Sequence, residues 1–358
     1  MMDRTHYFTG IIMVALAIAS TASAGDTTPA PLLRWESLPP IPDREGFASP
    51  FAGSHNGALI VAGGANFPDK RPWEGGTKIW YDSVFVLTAP NQPWKTGFKL
   101  PCPVAYGVSL TTQGGIICIG GGNAKRHFQD VFRLTWDGTT IHTTPLAELP
   151  KPCAFMCGAI VNHTIYITGG IDKPDATECL NTFWSLDYAD AKAQWKELDP
   201  PPQSPARMLS VAASCGGSFF RFTGARLFPG QGGKPVREYL RDAWCYTPGH
   251  GWKRLADMPR PAVAAPSPAP VSARGRILVI SGDDGVNVKF KPETEHPGFP
   301  RNVLAYDPAA DTWNDVGQVP FSRGTVPAVP WGDRIVIPNG EARPGYRSPE
   351  VWSLRIEE

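Results

Sequence analysis

A carboxylate and two guanidinium groups lie close together near the C-terminus, in the segment IPNGEARPGYRS (337–348). Glu341 directly follows a glycine, and Arg343 and Arg347 follow within the same segment. Such a carboxylate can be neutralised by its basic neighbours, or it can act as a general base, which accelerates a reaction by about 10²- to 10⁴-fold. The arginines can bind an anion, because a planar guanidinium donates two parallel hydrogen bonds to a carboxylate or phosphate.

Charge and composition limit the possible partners and fold classes. The 358 residues include 34 basic and 33 acidic side chains, so the overall charge does not favour nucleic acid or an anionic membrane surface. Glycine (37) and proline (38) are abundant, and so are tryptophan (12) and phenylalanine (17). This mixture predicts many short strands joined by turns rather than a disordered chain.

An internal repeat predicts the elements that position these side chains. An apolar strand that ends in a glycine-containing dipeptide recurs six times, ending at Gly64, Gly121, Gly170, Gly224, Gly282 and Gly340. A β-rich run precedes each of these strands and a third strand follows it. A fourth strand often opens with tryptophan, as at Trp94, Trp195, Trp252 and Trp313. Four strands per repeat indicate a propeller blade, and six repeats with kelch-type Gly-Gly and Trp positions predict an all-β, six-bladed β-propeller.

The two ends of the chain are predicted to complete one blade together. The last repeat has no fourth strand of its own, whereas LLRWESLPP (32–40) carries the Trp-then-Pro pattern and belongs to no other blade. Pairing this segment with EVWSLRI (350–356) would close the ring and remove exposed sheet edges. Residues 32–358 are therefore expected to form one propeller domain, with two half-propellers as the alternative.

The N-terminus has the pattern of a secretory signal peptide. Arg4 and His6 precede the apolar stretch GIIMVALAIA (10–19), and small residues end the segment at Ala24. We expect residues 1–24 to be removed and the mature protein to be soluble and periplasmic or secreted, with no membrane span. An uncleaved anchor is the alternative.

Arginines concentrate on loops that a propeller would place on one face, around the central channel. They are Arg44, Arg207, Arg226, Arg323, Arg343 and Arg347. In a chain with almost no net charge, this concentration predicts a small anionic ligand. The alternative for any single arginine is that it braces neighbouring blades through backbone carbonyls or acids such as Glu45.

The cysteines predict neither a disulfide framework nor a metal site. Seven cysteines cannot pair evenly, and Cys118 and Cys215 lie in or beside apolar strand patterns, where buried thiols are expected. Cys153 and Cys157 have neither CxxC spacing nor a nearby histidine pair. We assign no disulfide, metal or cofactor from the sequence.

Four segments resemble the bacterial N-acetylneuraminate mutarotases, which are exported kelch-propeller sialic acid epimerases. They are FAGSHNGALIVAGGANFP (51–68), PWEGGTKIW (72–80), AYGVSLTTQGGIICIGG (105–121) and NGEARPG (339–345). In that family the glutamate of NGEA is assigned as the proton acceptor, and its position here is Glu341. Better-known members carry the NGEA blade mid-chain, followed by the FAG and AYGVSL blades. This chain starts with those two blades and ends with NGEA, so it resembles a cyclically permuted branch.

The resemblance implies interconversion of the α and β anomers of N-acetylneuraminate without a cofactor. Glu341 would remove the proton of the anomeric hydroxyl, and Arg323, Arg343 or Arg226 would bind the C1 carboxylate. Other expected substrate-binding residues are Arg347, Arg207, Asn66 and Trp73. The group that protonates the ring oxygen is left open. The true substrate could be another acidic sugar.

Two other classes of function remain open at this stage. The first is a noncatalytic module that binds an acidic glycan or a protein partner at the same mouth. The second is a different enzyme on the same fold. A copper radical oxidase needs tyrosine, cysteine and two histidines near a metal, a grouping that the seven histidines do not show on the mouth loops. A sialidase needs SxDxGxTW repeats, which the sequence lacks.

Overall fold

A computed structural model describes Met1 and residues 31–230, 233 and 235–357. Apart from Met1, the predicted signal peptide (1–24) and its cleavage site lie outside the described residues. Residues Pro31–Glu358 form one unit. Its strands pair antiparallel and are grouped into six radially repeated sheets, which confirms the predicted six-bladed propeller.

The first two blades follow the predicted four-stranded pattern. The strands up to the end of blade 1 (51–99) are β1 (Leu32–Leu38), β2 (Phe51–His55), β3 (Ala58–Ala62), β4 (Ala65–Asn66), β5 (Ile79–Trp80), β6 (Ser83–Leu87) and β7 (Lys95–Lys99). Blade 1 is the sheet β2-β3-β6-β7, and β4 pairs with β5 as a ribbon in the loop between β3 and β6. Blade 2 (108–145) consists of β8 (Val108–Thr112), β9 (Gly115–Ile119), β10 (Val131–Trp136) and β11 (Ile141–Pro145).

Blades 3 and 4 keep the pattern, but blade 4 carries a long hairpin. Blade 3 (157–197) consists of β12 (Cys157–Val161), β13 (Thr164–Thr168), β14 (Phe183–Asp187) and β15 (Lys196–Glu197). Blade 4 (211–255) consists of β16 (Val211–Cys215), β17 (Ser218–Pro229), β18 (Pro235–Thr247) and β19 (Gly251–Leu255). The strands β17 and β18 are longer than their counterparts and continue to pair beyond a register shift between Phe222 and Gly224. The resulting hairpin extends the blade on the side where the loops between second and third strands lie.

Blade 5 (266–318) departs from the prediction of four strands per repeat. Its regular strands are β20 (Ile277–Ile280), β21 (Asn302–Asp307) and β22 (Thr312–Gln318). The innermost position is filled by irregular chain containing Pro266, Pro268 and Pro270, which have no N–H for a strand ladder. Leu278 N–H still donates to the Pro270 carbonyl at 2.8 Å, so this segment remains attached to the blade.

Blade 6 (329–357 with 32–38) closes the ring as predicted. Its strands from the C-terminal part are β23 (Val329–Trp331), β24 (Arg334–Pro338) and β27 (Val351–Glu357), with β25 (Glu341–Arg343) and β26 (Tyr346–Arg347) forming a separate ribbon. The strand β1 pairs with β27 over its whole length, from Leu32 opposite Glu357 to Leu38 opposite Val351. The N-terminal strand therefore completes the last blade.

The apolar strands are buried on both faces because each blade lies between two others. On β3, Ile60 packs with Ile116 of blade 2, whereas Leu59 and Val61 pack with Val336 of blade 6. Successive side chains of a strand point to opposite faces, so a strand between two blades needs a continuous apolar run. This packing explains why the repeat is apolar rather than alternating.

The repeated tryptophans of blades 1, 3, 4 and 5 join these blades to the preceding ones. Trp94 Nε1 donates to the Pro39 carbonyl at 2.8 Å, and Trp195 Nε1 donates to the Ala147 carbonyl at 2.9 Å. Trp252 and Trp313 make the same kind of bond at 2.9 Å. The periodic tryptophan is thus both a packing residue and a hydrogen-bond donor between blades.

All seven cysteine thiols are free. Burial raises the pKa of Cys157 to about 12. Within the described part of the chain, no helix is long and apolar enough to cross a membrane. Short 3₁₀ turns lie at Pro72–Glu74 and Glu293–Glu295 in two of the loop insertions.

Candidate active site at the channel mouth

Six equivalent residues surround the central channel in a left-handed backbone conformation. With φ between 45° and 65°, they are Ser49, Tyr106, Phe155, Leu209, Ala264 and Thr325. Each N–H donates to the carbonyl of its counterpart in the preceding blade over 2.6–3.0 Å, and Ser49 donates to Thr325, so the bonds form a closed circle. This backbone conformation costs a non-glycine residue about 1–2 kcal/mol, which the circle of hydrogen bonds offsets in part. These residues line the channel at its mouth.

A second set of equivalent positions places acidic side chains beside this circle. In each blade, a glycine ends the apolar run of the second strand. The residue after this glycine forms an isolated β-bridge with the residue that precedes the left-handed residue. These residues are Ala65, Gly122, Ile171, Ala225, Asp283 and Glu341. In this set only Asp283 and Glu341 can transfer a proton, and they belong to the adjacent blades 5 and 6. Glu341 therefore lies at the mouth of the channel.

The two oxygens of the Glu341 carboxylate differ in their hydrogen bonds. Its Oε1 accepts hydrogen bonds from Arg347 Nη1 and from the Gly345 N–H, both at 3.0 Å. Among the described residues its Oε2 has one hydrogen-bonding partner, the Thr325 hydroxyl at 3.5 Å, which is at the limit of a hydrogen bond. The carboxylate is thus oriented through one oxygen, and the other oxygen remains available to a substrate proton.

Arg347 is buried beneath Glu341 against aromatic side chains. Its guanidinium carbon lies 4.9 Å from the centre of the Phe67 ring, and it also interacts with Tyr106. Burial by itself lowers the pKa of Arg347, but the charge of Glu341 and the contact with Tyr106 outweigh burial and raise that pKa. Its Nε is buried without a partner in the described residues, so this guanidinium still has a free donor.

A second cation, Lys78, faces the same aromatic side chains. Its Nζ lies 5.2 Å from the centre of the Tyr106 ring and 5.6 Å from the centres of the Phe67 and Trp80 rings. No carboxylate of the described residues lies within salt-bridge distance of this ammonium group. Arg347 and Lys78 thus lie around the same aromatic side chains at the mouth, and of the two only Arg347 is paired with a carboxylate among the described residues. The sequence analysis missed Lys78 because it counted arginines only.

Trp73 and Arg343 lie at the rim of this cluster, on Tyr346. The Arg343 guanidinium carbon is 4.0 Å from the centre of the Tyr346 ring, and the Trp73 and Tyr346 ring centres are 5.4 Å apart. Arg343 Nη1 also donates to the His296 carbonyl at 3.2 Å. An added Cβ on Gly345 would approach Trp73 to 2.6 Å, so the glycine permits this close packing. The blade 1 insertion therefore lies against the ribbon that carries Glu341.

The structure does not bring Arg207 and Arg323 to Glu341. Arg207 uses all five N–H donors on Asp242, Ser204, Thr223 and Pro205. Arg323 donates to Ser348 Oγ at 2.8 Å and to Glu350 Oε2 at 2.6 Å. Both side chains brace the scaffold within their own blade and the segment that leads into it, whereas the alternative left open for each arginine was a brace between neighbouring blades.

The repeat pattern could have predicted that Arg207 and Arg323 are buried. Both arginines precede the left-handed residue of their blade by two positions, and the residues at that position are Phe47, Val104, Cys153, Arg207, Ala262 and Arg323. All six are buried. Aligning the repeats would have assigned the position to the interior, because four of its occupants are apolar or a thiol.

Arg226 and Asn66 are also placed away from a shared anion site. Arg226 is half exposed on the long hairpin and lies 3.7 Å from Glu238 across it. Asn66 is buried; it donates to the Gly46 carbonyl at 2.9 Å and accepts from the Tyr81 hydroxyl at 2.8 Å. Arg44 is exposed and pairs with Glu45 at 3.1 Å. The predicted convergence of six arginines is thus limited to Arg347, with Arg343 at the rim.

No metal centre accompanies this cluster in the part of the chain that the structure describes. Groups of three or more His, Cys, Asp or Glu side chains placed to hold a metal ion are absent there. The chemistry available at the mouth is that of carboxylates, hydroxyls and cations.

Comparisons with known proteins support the resemblance read from the sequence. Residues 19–143 match a family model described as N-acetylneuraminate epimerase, and residues 152–202 match the Kelch motif. The N-acetylneuraminate epimerase of Vibrio cholerae is 34% identical over 121 residues, which cover 30% of this chain and 32% of that protein. That of Haemophilus influenzae strain 86-028NP is 28% identical over 230 residues, 57% of each protein. The resemblance to this family is confirmed.

The extent of these matches differs between sequence and structure. The chain spans about a third of the length of the Vibrio relative and 57% of the Haemophilus relative. The solved structure of YjhT superposes with a TM-score of 0.64 at 15% identity, covering 90% of this chain and 99% of that chain, which supports the fold. Lys78 and Tyr106 lie within the segment matched by the epimerase model, and Glu341 lies outside it.

Proposed function

We propose that this protein is a mutarotase that interconverts the α and β anomers of N-acetylneuraminate by general acid–base catalysis. The observation that carries the proposal is the position of Glu341 at the channel mouth, where it pairs with Arg347, while Lys78 faces the same Phe67 ring as Arg347. The names of the relatives in Vibrio and Haemophilus indicate the sugar. An acidic sugar suits a mouth at which Lys78 has no carboxylate partner among the described residues.

In this proposal Glu341 Oε2 takes the proton of the anomeric hydroxyl. The bond between the anomeric carbon and the ring oxygen then breaks, giving the open-chain ketone, and the chain closes again on the other face of the carbonyl. Arg347 and Lys78 bind the C1 carboxylate, in place of the Arg323 or Arg226 expected from the sequence. Trp73 and Arg343 enclose the sugar at the rim, while Arg207 and Asn66 stabilise the scaffold.

The test is Glu341→Gln, which keeps the size of the side chain and removes the base. Saturation-transfer NMR on N-acetylneuraminate measures anomer exchange, and we expect it to fall by about 10²- to 10⁴-fold. Glu238→Gln, on the half-exposed pair with Arg226, is the matched control and should exchange like the wild type. Unchanged exchange in Glu341→Gln would remove Glu341 from the mechanism.

A noncatalytic sugar-binding module is the second candidate. It is favoured by the two full hydrogen bonds that Glu341 Oε1 already accepts, since a carboxylate neutralised in this way can be structural. Binding of N-acetylneuraminate by the wild type, with anomer exchange no faster than in buffer, would support the module and contradict the mutarotase.

Export is part of the proposal. The N-terminal pattern that ends at Ala24 favours a periplasmic or secreted mature protein. A mature N-terminus at Gly25, found by mass spectrometry of the exported protein, is the expected result. Retention of residues 1–24 would contradict cleavage.

A further inference from the structure

A second carboxylate faces the mouth from the blade next to Glu341. Asp283 follows Gly282 as Glu341 follows Gly340, and it bridges to Val263 as Glu341 bridges to Gly324. The loop that carries Asp283 is also joined to blade 6, because Gly282 N–H donates to the Arg323 carbonyl at 3.1 Å. Two carboxyl groups at equivalent positions on adjacent blades thus face one opening.

Asp283 is fixed by a tyrosine and a glycine. The Tyr239 hydroxyl donates to Asp283 Oδ2 and the Gly285 N–H donates to Oδ1, both at 2.9 Å. Gly285 has φ of +78°, and an added Cβ would lie 2.8 Å from Cγ of Tyr239. The loop therefore closes over the tyrosine ring because this residue has no side chain. Tyr239 comes from β18 of blade 4, so two blades hold one carboxyl group in place.

The surroundings of Asp283 and Glu341 differ in charge. Glu341 has an arginine partner, whereas Asp283 forms no ion pair with a described residue. Burial raises the pKa of Asp283, and the nearby charges of Asp284 and Glu341 raise it further against the two hydrogen bonds. Burial and Asp283 also raise the pKa of Tyr239, which Arg237 opposes. Carboxyl groups in such unlike settings divide the roles of acid and base.

We propose that Asp283 is the general acid of the reaction and that Tyr239 is its positioning residue. This inference rests on the proposed mutarotase function. In ring opening, Glu341 takes the proton of the anomeric hydroxyl, the C2–O6 bond breaks, and the Asp283 carboxyl gives its proton to O6. In ring closure, the O6 hydroxyl attacks the other face of the C2 carbonyl, Asp283 takes the O6 proton back, and Glu341 returns its proton to the carbonyl oxygen. Both carboxyl groups end as they began.

The decisive variant is Asp283→Asn, measured by the same NMR exchange experiment across pH. We expect kcat to fall by about 10²-fold or more with KM nearly unchanged, because the amide keeps the hydrogen bonds and cannot donate as an acid. Wild-type kcat should decline as the pH rises through the pKa of Asp283, since the protonated form is required, and this decline should be absent in the variant. Asp283→Glu should recover part of the rate.

Asp284→Asn is the matched control, with the same chemical change one residue away. Its maximum rate should equal that of the wild type, and its alkaline decline should move to lower pH, because the charge of Asp284 no longer raises the pKa of Asp283. Equal losses in the Asp283 and Asp284 variants, or wild-type kcat in Asp283→Asn, would overturn the role of Asp283. If Glu341→Gln loses exchange while Asp283→Asn keeps it, only this inference fails. If the wild type exchanges anomers no faster than buffer, the proposed function fails and this inference with it.

Tyr239→Phe separates positioning from a merely structural role. The tyrosine hydrogen bond lowers the pKa of Asp283 against burial, so its loss should raise that pKa and move the alkaline decline of kcat to higher pH. The maximum rate should fall several-fold. A profile identical to that of the wild type would exclude Tyr239 from the mechanism.

Discussion

Two arginine–carboxylate pairs in this propeller have similar burial and differ in how completely they are bonded. Arg207 exposes 0% and Asp242 15% of their side chains, and Arg347 and Glu341 expose 3% and 18%. Both oxygens of Asp242 are bound by Arg207, at 2.6 and 2.7 Å, and Oδ2 also accepts from Trp244 and Ser204. The Glu341 pair has one such bond, at 3.0 Å, and one nearly free oxygen.

Burial therefore does not distinguish a structural ion pair from one at a candidate site in this fold. What distinguishes them is whether all hydrogen-bonding groups of the pair already have partners. A fully bonded bidentate pair has no capacity left for a ligand. The mouth pair retains a nearly free carboxylate oxygen, and Lys78 lies on the same aromatic side chains as Arg347. These unused groups are what a substrate with a carboxylate and hydroxyls could engage.

The largest effect is expected on stability, when the Arg207–Asp242 ion pair is broken. Asp242→Asn leaves Arg207 buried without its counter-ion and with Arg221 close by, because both guanidinium groups donate to Ser204 Oγ. Removing one partner of a buried ion pair costs about 3–5 kcal/mol. The free energy of unfolding from urea titration should fall by that amount.

Glu341→Gln provides the contrast for this measurement. It also removes the counter-ion of a buried arginine, but it should lose less stability than Asp242→Asn, because one hydrogen bond from Arg347 is affected instead of two and the amide oxygen can still accept it. Equal stability losses in the two variants would show that the mouth pair is also a brace, which would contradict the distinction.

The sequence predicted the ring and the position of Glu341 at the channel mouth, because both follow from the repeat. The strand that ends at Gly340 fixes where Glu341 emerges, and the missing fourth strand of the last repeat indicated that β1 pairs with β27. Repeats of this kind determine a propeller almost completely, since each blade contacts only its neighbours.

The repeat pattern could not predict the position of Lys78. It lies 14 residues after Gly64, in an insertion whose course depends on Trp73 packing against Gly345 of another blade. Asp283 was visible in the sequence as the residue after Gly282, but its contact with Tyr239 depends on the length of the blade 4 hairpin. Contacts between insertions are long-range, and strand periodicity does not encode them.

An intermediate effect is expected at Lys78, and it tests whether the unused groups bind an anion. Lys78→Met keeps the aliphatic contact with the aromatic rings and removes the charge. KM for N-acetylneuraminate should rise about 3- to 10-fold with kcat little changed, because a carboxylate contact is lost in ground and transition states alike. NMR exchange rates at a series of sugar concentrations give both constants.

Lys70→Met is the matched control for Lys78, since Lys70 lies in the same insertion and is exposed. Its KM should equal that of the wild type. The KM of Lys78→Met should also depend less on salt than that of the wild type, because screening acts on the charge that has been removed. An unchanged KM in Lys78→Met would place the anion site elsewhere.

The smallest expected effect is the loss at acid pH of the stability that the Arg207–Asp242 pair contributes. Burial by itself raises the pKa of Asp242, but the hydrogen bonds and charge of Arg207 outweigh burial and hold that pKa below its ordinary value. A carboxyl group whose pKa is lower in the folded state stabilises the fold above its unfolded pKa of about 3.9 and loses that contribution as the pH falls through the folded value. The difference in unfolding free energy between the wild type and Asp242→Asn should therefore be constant from pH 7 to about pH 5 and shrink below about pH 4. Urea titrations of both proteins at pH 7, 5 and 3.5 measure it, and a difference that stays constant to pH 3.5 would mean that the Asp242 carboxylate does not titrate as part of the brace.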